Sequence, residues 1–345
     1  MARGRLLTAL AVTAAAVAVA MTATAATAED RTDLVVEDSS RDRPLSSGRR
    51  GRIVGGRQVS ALDRDNGAEF MGTLYTPGGG MYCGAALIGF GHVLTRAGCY
   101  VQTGDIVRVG GVRLFQGVQL KVTRVINHPQ YDPNGDLNDI AVLKVSGPGE
   151  AAMVAAGVLP ITFRRKLGNP HGFFITGYGA VDKLAQTAGS LQLKRGYQPL
   201  KKWATCKELL RFVKLSDGRT LPVNEDRQLC TNYQSTRSGA LCERDVGGPM
   251  YRAAYARVNG KRVKVYVLYG ISSYWVGTTS QRCPQGLPNV GTNVSFYYYW
   301  IRQNMNFDCA VAAGRERRMC PAGIATCRGY LSAAVTRGLS RVVMS

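Results

Sequence analysis

From Arg52 onward the chain is written in short apolar runs separated by Gly, Pro, Asn and Asp, and this texture excludes most folds. Examples are "AALIGFGHVLT", "DIVRVGGVRLFQGVQLKVTRVI", "IAVLKV", "GFFITGYGA", "RAAYARVNGKRVKVYVLYGISSYW" and "VGTNVSF". Many short runs at near-regular spacing, each bounded by turn residues, imply an all-β sandwich or barrel. Gln119, Lys121 and Thr123 alternate with Leu120, Val122 and Arg124, the period of a half-buried strand, broken by one charge on the apolar side. Asn259-Gly260 in "RVNGKR" separates two such runs and reads as a hairpin turn. Helix signals are few: "WATCKELLRFV" has apolar residues at three- and four-residue steps, and "SFYYYWIRQNM" reads as a terminal helix opened by Ser295.

The two ends have a different texture. Residues 1–28 carry two early arginines, an Ala/Val/Leu run and an Ala26-Thr27-Ala28 site, the pattern of a signal peptide cut before Glu29. The run from Leu6 to Ala20 is short and Ala/Thr-rich for a membrane span, and no other stretch is long and apolar enough, so the chain reads as secreted and not membrane-spanning. Residues 29–52 are charged and nearly devoid of large apolar side chains, which makes them an unstructured pro-segment. They end in Arg49-Arg50-Gly51-Arg52, a basic cleavage signal. Residues 309–345 form a basic, Ala/Gly-rich extension outside the main fold.

Nine cysteines in a secreted chain imply disulfides, with at least one cysteine left free or paired in trans. Their spacings do not resemble metal sites and His is scarce, so neither metal nor cofactor is expected. The formal charge of +21, from 44 basic and 23 acidic residues, predicts attraction to anionic surfaces. Basic clusters stand at Arg164-Arg165-Lys166, Lys194-Arg195, Lys201-Lys202, Lys261-Arg262-Lys264 and Arg315-Arg317-Arg318. Most charge runs are solvated surface, but their number supports a polyanion-binding face. Aromatic-interleaved nucleic-acid motifs are lacking, which favours a sulfated glycan or an acidic membrane over specific nucleic acid. Asn293-Val294-Ser295 is a glycosylation sequon by rule.

Five motifs in order resemble the trypsin/chymotrypsin family of serine proteases, across Ile53 to Met305. "RIVGG" (Arg52 to Gly56) resembles an activation junction, and "CGAALIGFGHVLTRAGC" (Cys83 to Cys99) resembles C-G-G-S-L-I…V-L-T-A-A-H-C. "HPQYDPNGDLNDIAVLKV" (His128 to Val145) is similar to the segment bearing the buried catalytic Asp. "TGYGA" (Thr176 to Ala180) matches T-G-W-G, and "GLPNVGTNVSFYYYWIRQNM" (Gly286 to Met305) matches the approach to a C-terminal helix. The resemblance implies a trypsin-like domain over 53–308: two six-stranded Greek-key β-barrels with an active cleft between them. The first barrel would cover about 67–165, the second about 173–295, and the terminal helix about 296–306. It also implies disulfides Cys83–Cys99, Cys206–Cys230 and Cys242–Cys283. A fourth family bridge is absent at both ends, where Phe173 and Arg252 stand, and Cys309, Cys320 and Cys327 are left without an assigned pairing.

Chemistry is where the resemblance fails. The family mechanism needs a Ser to attack, a His to take its proton and an Asp to hold the His. Asp139 fits the last role, but the His position is Gly98 and the Ser position, in "CERDVGGPM", is Val246. The oxyanion-hole glycine is Arg244, whose backbone N–H persists beside a long cationic side chain. The chain has three His in all: His92 reads as a strand or core residue, while His128 and His171 fall on loops, so none is placed to rescue a triad. The pocket base is Ala240, and pocket-wall glycines are replaced by Trp275 and Asn289. Asp245 persists; in the family this residue receives the new α-amino group of the residue matching Ile53 once the bond after Arg52 is cut. The leading expectation is therefore a secreted, non-catalytic serine protease homolog, a regulator or decoy that binds a protein such as a protease or its substrate. The alternatives are an active endopeptidase with a non-standard constellation, and a cationic glycan- or microbe-binding protein that uses the barrels as scaffold.

Overall fold

The computed structural model of the protein describes residues 53, 56–60, 69–89, 91–133, 136–147, 172–180, 189–211, 213, 221–232, 239–258, 261–276, 283, 286–305, 311–312 and 315–316. All of them lie in the unit Thr32–Ser345; the unit Met1–Arg31 falls outside the described residues. So do the whole of the expected pro-segment, the Asn259-Gly260 turn, His171, and Cys309, Cys320 and Cys327.

After β1 (Arg57–Gln58), the next six strands are β2 (Met71–Tyr75), β3 (Met81–Gly89), β4 (His92–Thr95), β5 (Ile106–Val109), β6 (Val118–Asn127) and β7 (Ala141–Ser146). They close into an antiparallel barrel in the order β2-β3-β4-β7-β6-β5. Closure removes sheet edges, and alternate side chains fill the interior: Leu74, Leu87, Val107, Leu120, Val122 and Leu143 are buried there. Arg124, which the strand period assigns to the apolar side, is exposed instead. A bulge between Val122 and Arg124 in the β6–β7 ladder inserts one residue and changes the phase of the strand, so that Thr123 and Arg124 both face out.

The second half contains β8 (Gly172–Gly177), β9 (Lys194–Pro199), β10 (Gln228–Asn232), β11 (Pro249–Val258), β12 (Lys261–Trp275) and β13 (Pro288–Asn293). Their order is β1-β9-β8-β11-β12-β13-β10, a rolled seven-stranded sheet. It differs from a fully laddered six-stranded barrel at one seam. β1 pairs with the Lys194–Arg195 end of β9, and β10 reaches only the other end, through a single bridge between Leu200 and Thr231. Polar contacts complete the seam. Lys201 N–H donates to Cys230 O at 2.9 Å, Thr231 Oγ1 donates to Gln198 Oε1 at 2.6 Å, and Gln198 Nε2 donates to Gly239 O at 2.9 Å. Gln198 and Thr231 are fully buried, so these bonds satisfy groups that water cannot reach.

Between the halves lies a further apolar cluster, in which Phe70, Leu94 and Ile140 meet Tyr251, Ile271 and Ile301. The two α-helices among the described residues are α1 (Trp203–Leu210) and α2 (Tyr298–Asn304). α2 starts later than Ser295 predicts, because the Ser295 hydroxyl is used one turn earlier, donating to Asn293 Oδ1 at 2.7 Å. Asn293 is itself buried and its Nδ2 donates to Asp226 O at 2.9 Å, so the sequon amide is engaged inside the fold.

Three disulfides join Cys83 to Cys99, Cys206 to Cys230 and Cys242 to Cys283, with Cα separations of 6.2, 6.4 and 5.5 Å. The first ties β3 to the 3-10 turn Ala97–Cys99 after β4, and the second ties α1 to β10. Phe173 and Arg252, where a fourth bridge is missing, are both buried. Beyond α2, β14 (Val311–Ala312) pairs with β15 (Arg315–Glu316).

Candidate functional site

Three segments converge on Asp139, which is fully buried just before β7, two of them on its carboxylate and one on its carbonyl. The 3-10 turn after β4 supplies the Gly98 N–H, which donates to Oδ1 at 2.8 Å. β12 supplies the Ser273 hydroxyl, which donates to Oδ2; Ser273 sits in a register shift between Ser272 and Tyr274. From β13, Thr292 Oγ1 donates to the Asp139 carbonyl at 2.7 Å. Local chain geometry and both halves of the fold thus fix this one acid.

A residue that sequence reasoning passed over completes the arrangement. Arg96 Nε lies 2.8 Å from Asp139 Oδ2, an ion-pair contact rather than an aligned hydrogen bond. Its Nη2 donates to Asp136 Oδ1 at 2.9 Å, and its Nη1 donates to the Ser273 carbonyl. A Cβ placed on Gly98 would stand 2.2 Å from Arg96 Nη2 and 2.8 Å from its Cζ and Nε. The guanidinium therefore fills the space that any side chain at 98 would need. Two letters of "VLTRAGC" carry the signal: a cation stands two positions before a residue with no side chain.

Electrostatics follow from burial. Burial raises the Asp139 carboxyl, and Arg96, the Ser273 hydroxyl and the Gly98 N–H oppose that shift. Asp136 is pushed up to about 6, by burial first, with Arg96 opposing and Asp139 reinforcing the rise. Burial lowers the Arg96 guanidinium, but Asp139 and Asp136 outweigh it and the net shift is upward. A buried acid needs a cation or several donors to stay charged, and Arg96 supplies the cation.

The "CERDVGGPM" loop passes beside this network. Val246 is buried in the barrel cluster with Cys83, Cys99 and Val101, and its carbonyl accepts from Gly84 N–H at 2.7 Å. Neither Gly98 nor Val246 has a side-chain atom able to take or give a proton. Arg244 adopts φ 69°, the left-handed region where glycine is at home, with its side chain exposed. The loop keeps a tight turn: Asp245 N–H donates to Cys242 O at 3.1 Å, Gly248 N–H to Asp245 O at 3.2 Å, and Gly247 N–H to Ser272 O at 2.7 Å.

Asp245 is buried, with Oδ1 accepting from Gly179 N–H at 2.8 Å and Oδ2 lacking a hydrogen-bond partner. Burial pushes its carboxyl up to about 7, against the opposing N–H groups of Gly179 and Cys242. Both glycines of "TGYG" are needed here, since a Cβ on Gly177 or Gly179 would fall 2.1 or 2.4 Å from the carboxyl group. Ile53 is buried in a cluster with Phe173, Ile175 and Leu241; Arg52 lies outside the described residues.

Ala240 packs with Ala180, Cys242 and Cys283, and the Trp275 indole rests against this cluster. Trp275 also touches the clusters that hold Val246 and Ile53, so one ring bridges all three. Asn289 is its partner across the β12–β13 ladder and is buried, its carbonyl accepting from Thr231 Oγ1 at 3.1 Å.

The two described histidines are placed elsewhere. His92 opens β4, and the His128 ring packs on Tyr297 and Trp300 at centroid distances of 5.2 and 5.0 Å, with burial lowering its pKa. Among the described residues, no group of three His, Cys, Asp or Glu is placed to hold a metal ion, and no helix is long and apolar enough to cross a membrane.

Comparison with known proteins agrees with this architecture. The family profile described as Trypsin matches residues 53–301. The chain is 25% identical over 241 residues to the venom peptide isomerase heavy chain of Agelenopsis aperta, covering 65% of this chain and 87% of that protein. It is 28% identical over 265 residues to a trypsin of Saccharopolyspora erythraea, covering 74% of this chain and 98% of that protein. With its closed barrel, rolled second sheet, terminal helix and a profile match over most of its length, the chain belongs to the trypsin family.

Proposed function

We propose that the protein is a secreted, non-catalytic member of the trypsin family that acts by binding a protein partner. The observation that carries this reading is the Arg96 guanidinium, which pairs with Asp139 in the space beside Gly98. On this reading Gly98 and Val246 stand at the base and nucleophile positions, and Arg96 neutralises an acid that no longer has a histidine to orient. Arg244 sits at the oxyanion position, and Trp275 plugs the pocket above Ala240, so primary specificity is lost with the chemistry. One relative is named for acting on a peptide, which fits a peptide or protein as the partner. Three disulfides and the signal-like residues 1–28 support secretion.

Asp245 extends the proposal. Its Oδ2 is buried without a partner, beside the two glycines that hold the carboxyl group. Cutting after Arg52 would create an ammonium on Ile53, and that group is the natural partner for a buried carboxylate. The proposed binding surface would then be switched by cleavage without any hydrolytic activity following.

The test uses the full chain with its disulfides intact, before and after cleavage at Arg52. A fluorophosphonate probe and a mixed peptide library should give neither labelling nor turnover in either form. Labelling of any residue, or peptide turnover abolished by Asp139→Asn, would refute the reading in favour of a non-standard catalytic site.

A further inference from the structure

The outer face of the first barrel carries a row of cations that the site does not use. Lys144 on β7 stands opposite Arg124 on β6. Lys121 lies on β6 before the bulge, and Arg108 on β5 pairs with Gln119 of β6. All four alternate with core residues and so point outward: Val107, Leu120, Leu143 and Val145 fill the barrel behind them. The phase change at Val122/Arg124 is what brings Arg124 into this row.

No Asp or Glu stands on any of the six barrel strands. Among the described residues Lys121, Arg124 and Lys144 make no ion pair. Like charges set directly opposite across a ladder, as Arg124 and Lys144 are, disfavour the fold. Lone surface cations need no explanation, but an unneutralised cross-strand row, held together at a cost and amid a net charge of +21, calls for an anion.

We propose that this face binds a sulfated glycan chain, laid across β7, β6 and β5. Two strand spacings separate the ends of the row, roughly 10 Å, enough for more than one charged group of an extended polymer. A glycan is favoured over a membrane because, among the described residues, the exposed large apolar side chains are Tyr100, Phe115, Leu191 and Tyr299, none of them on these strands. The face also offers no exposed aromatic ring on which a base could stack, which disfavours single-stranded nucleic acid. Thr123 and Gln119 place neutral polar groups among the cations. The inference goes beyond the proposed function and holds whether or not the chain cleaves peptides.

The experiment measures heparin affinity of the full chain against salt, for the native protein, K121Q/R124Q/K144Q, and the charge-matched R113Q/K201Q/K202Q. With roughly 0.7 of log–log slope per neutralised charge, the first variant should lower the slope by about 2 and the comparator by less than half of that. The exposed single reversal Lys121→Glu should weaken binding in the same direction and touches no core residue. Equal losses in both triple variants, or unchanged binding in the first or in Lys121→Glu, would overturn the proposal. It would also fail if the first variant lost sedimentation with phosphatidylserine vesicles while keeping its heparin slope.

Discussion

Replacing Gly98 by Ala adds one methyl group and tests whether the bare backbone at 98 and the Arg96–Asp139 pair are a single device. Gly98 is not among the residues with positive φ, so Ala can adopt its backbone without strain. The new Cβ, however, would lie 2.2 Å from Arg96 Nη2, where carbon contacts normally stand at about 3.5 Å or more. Arg96 would have to leave, taking its charge from Asp139, whose side chain is 0% exposed. Removing one partner of a buried pair costs about 3–5 kcal/mol. The Gly98 N–H and the Ser273 hydroxyl still hold the carboxylate, which puts the expectation at the lower end, about 3 kcal/mol.

In an Arg96→Ala background the pair is already gone and the methyl enters vacated space. There Gly98→Ala should be neutral or stabilise by about 0.4–1 kcal/mol through the unfolded chain. Urea unfolding of the four proteins at pH 7, disulfides intact, gives the coupling directly, expected at about 3 kcal/mol and well above the scatter of independent sites. A cost under about 1 kcal/mol in the native background, or the same cost in both backgrounds, would refute the reasoning.

Two further expectations follow from the buried polar groups. With the Asp245 carboxyl raised from 3.8 to about 7, the folded chain holds more protons than the unfolded one between those values, so stability falls as pH rises through that window. Asp245→Asn in the uncleaved chain should remove this slope, a difference of up to about 4 kcal/mol from the size of the shift. Melting at pH 5 and pH 8 checks it, and parallel pH profiles for the two proteins would contradict it. Gln198→Ala leaves the Thr231 hydroxyl and the Gly239 carbonyl without their seam partners and should cost roughly 2–3 kcal/mol. A urea midpoint equal to that of the native protein would show that the seam does not depend on them.

The fold was legible because its signals are local. The short runs of β2 to β13, the helix over Trp203–Leu210 and the five motifs each reside within a few dozen residues, where strand period and turn chemistry act directly. The disulfide pairs came through the resemblance, and the structure joins the same cysteines. At the candidate site, Asp139, Gly98 and Val246 could be picked out by position within motifs, but what surrounds them could not. Ser295 shows the local limit: a good capping residue is spent on Asn293, and α2 begins at Tyr298.

By itself, then, the sequence determined that the chain is an all-β barrel protein with an acid at 139 and no proton-transferring side chain at 98 or 246. Only the tertiary structure decided what fills the gap. Arg96 finds Asp136 across 40 residues of chain, and Ser273 finds Asp139 across 134. It also decided that Arg124 faces solvent, since the inserted residue in β6 is defined only against its partner strand β7. The seam at Gln198 and the contacts of Trp275 with three separate clusters are likewise fixed by packing. A residue's type and spacing constrain its own strand, whereas the space left by a missing side chain is filled by whatever the fold brings beside it.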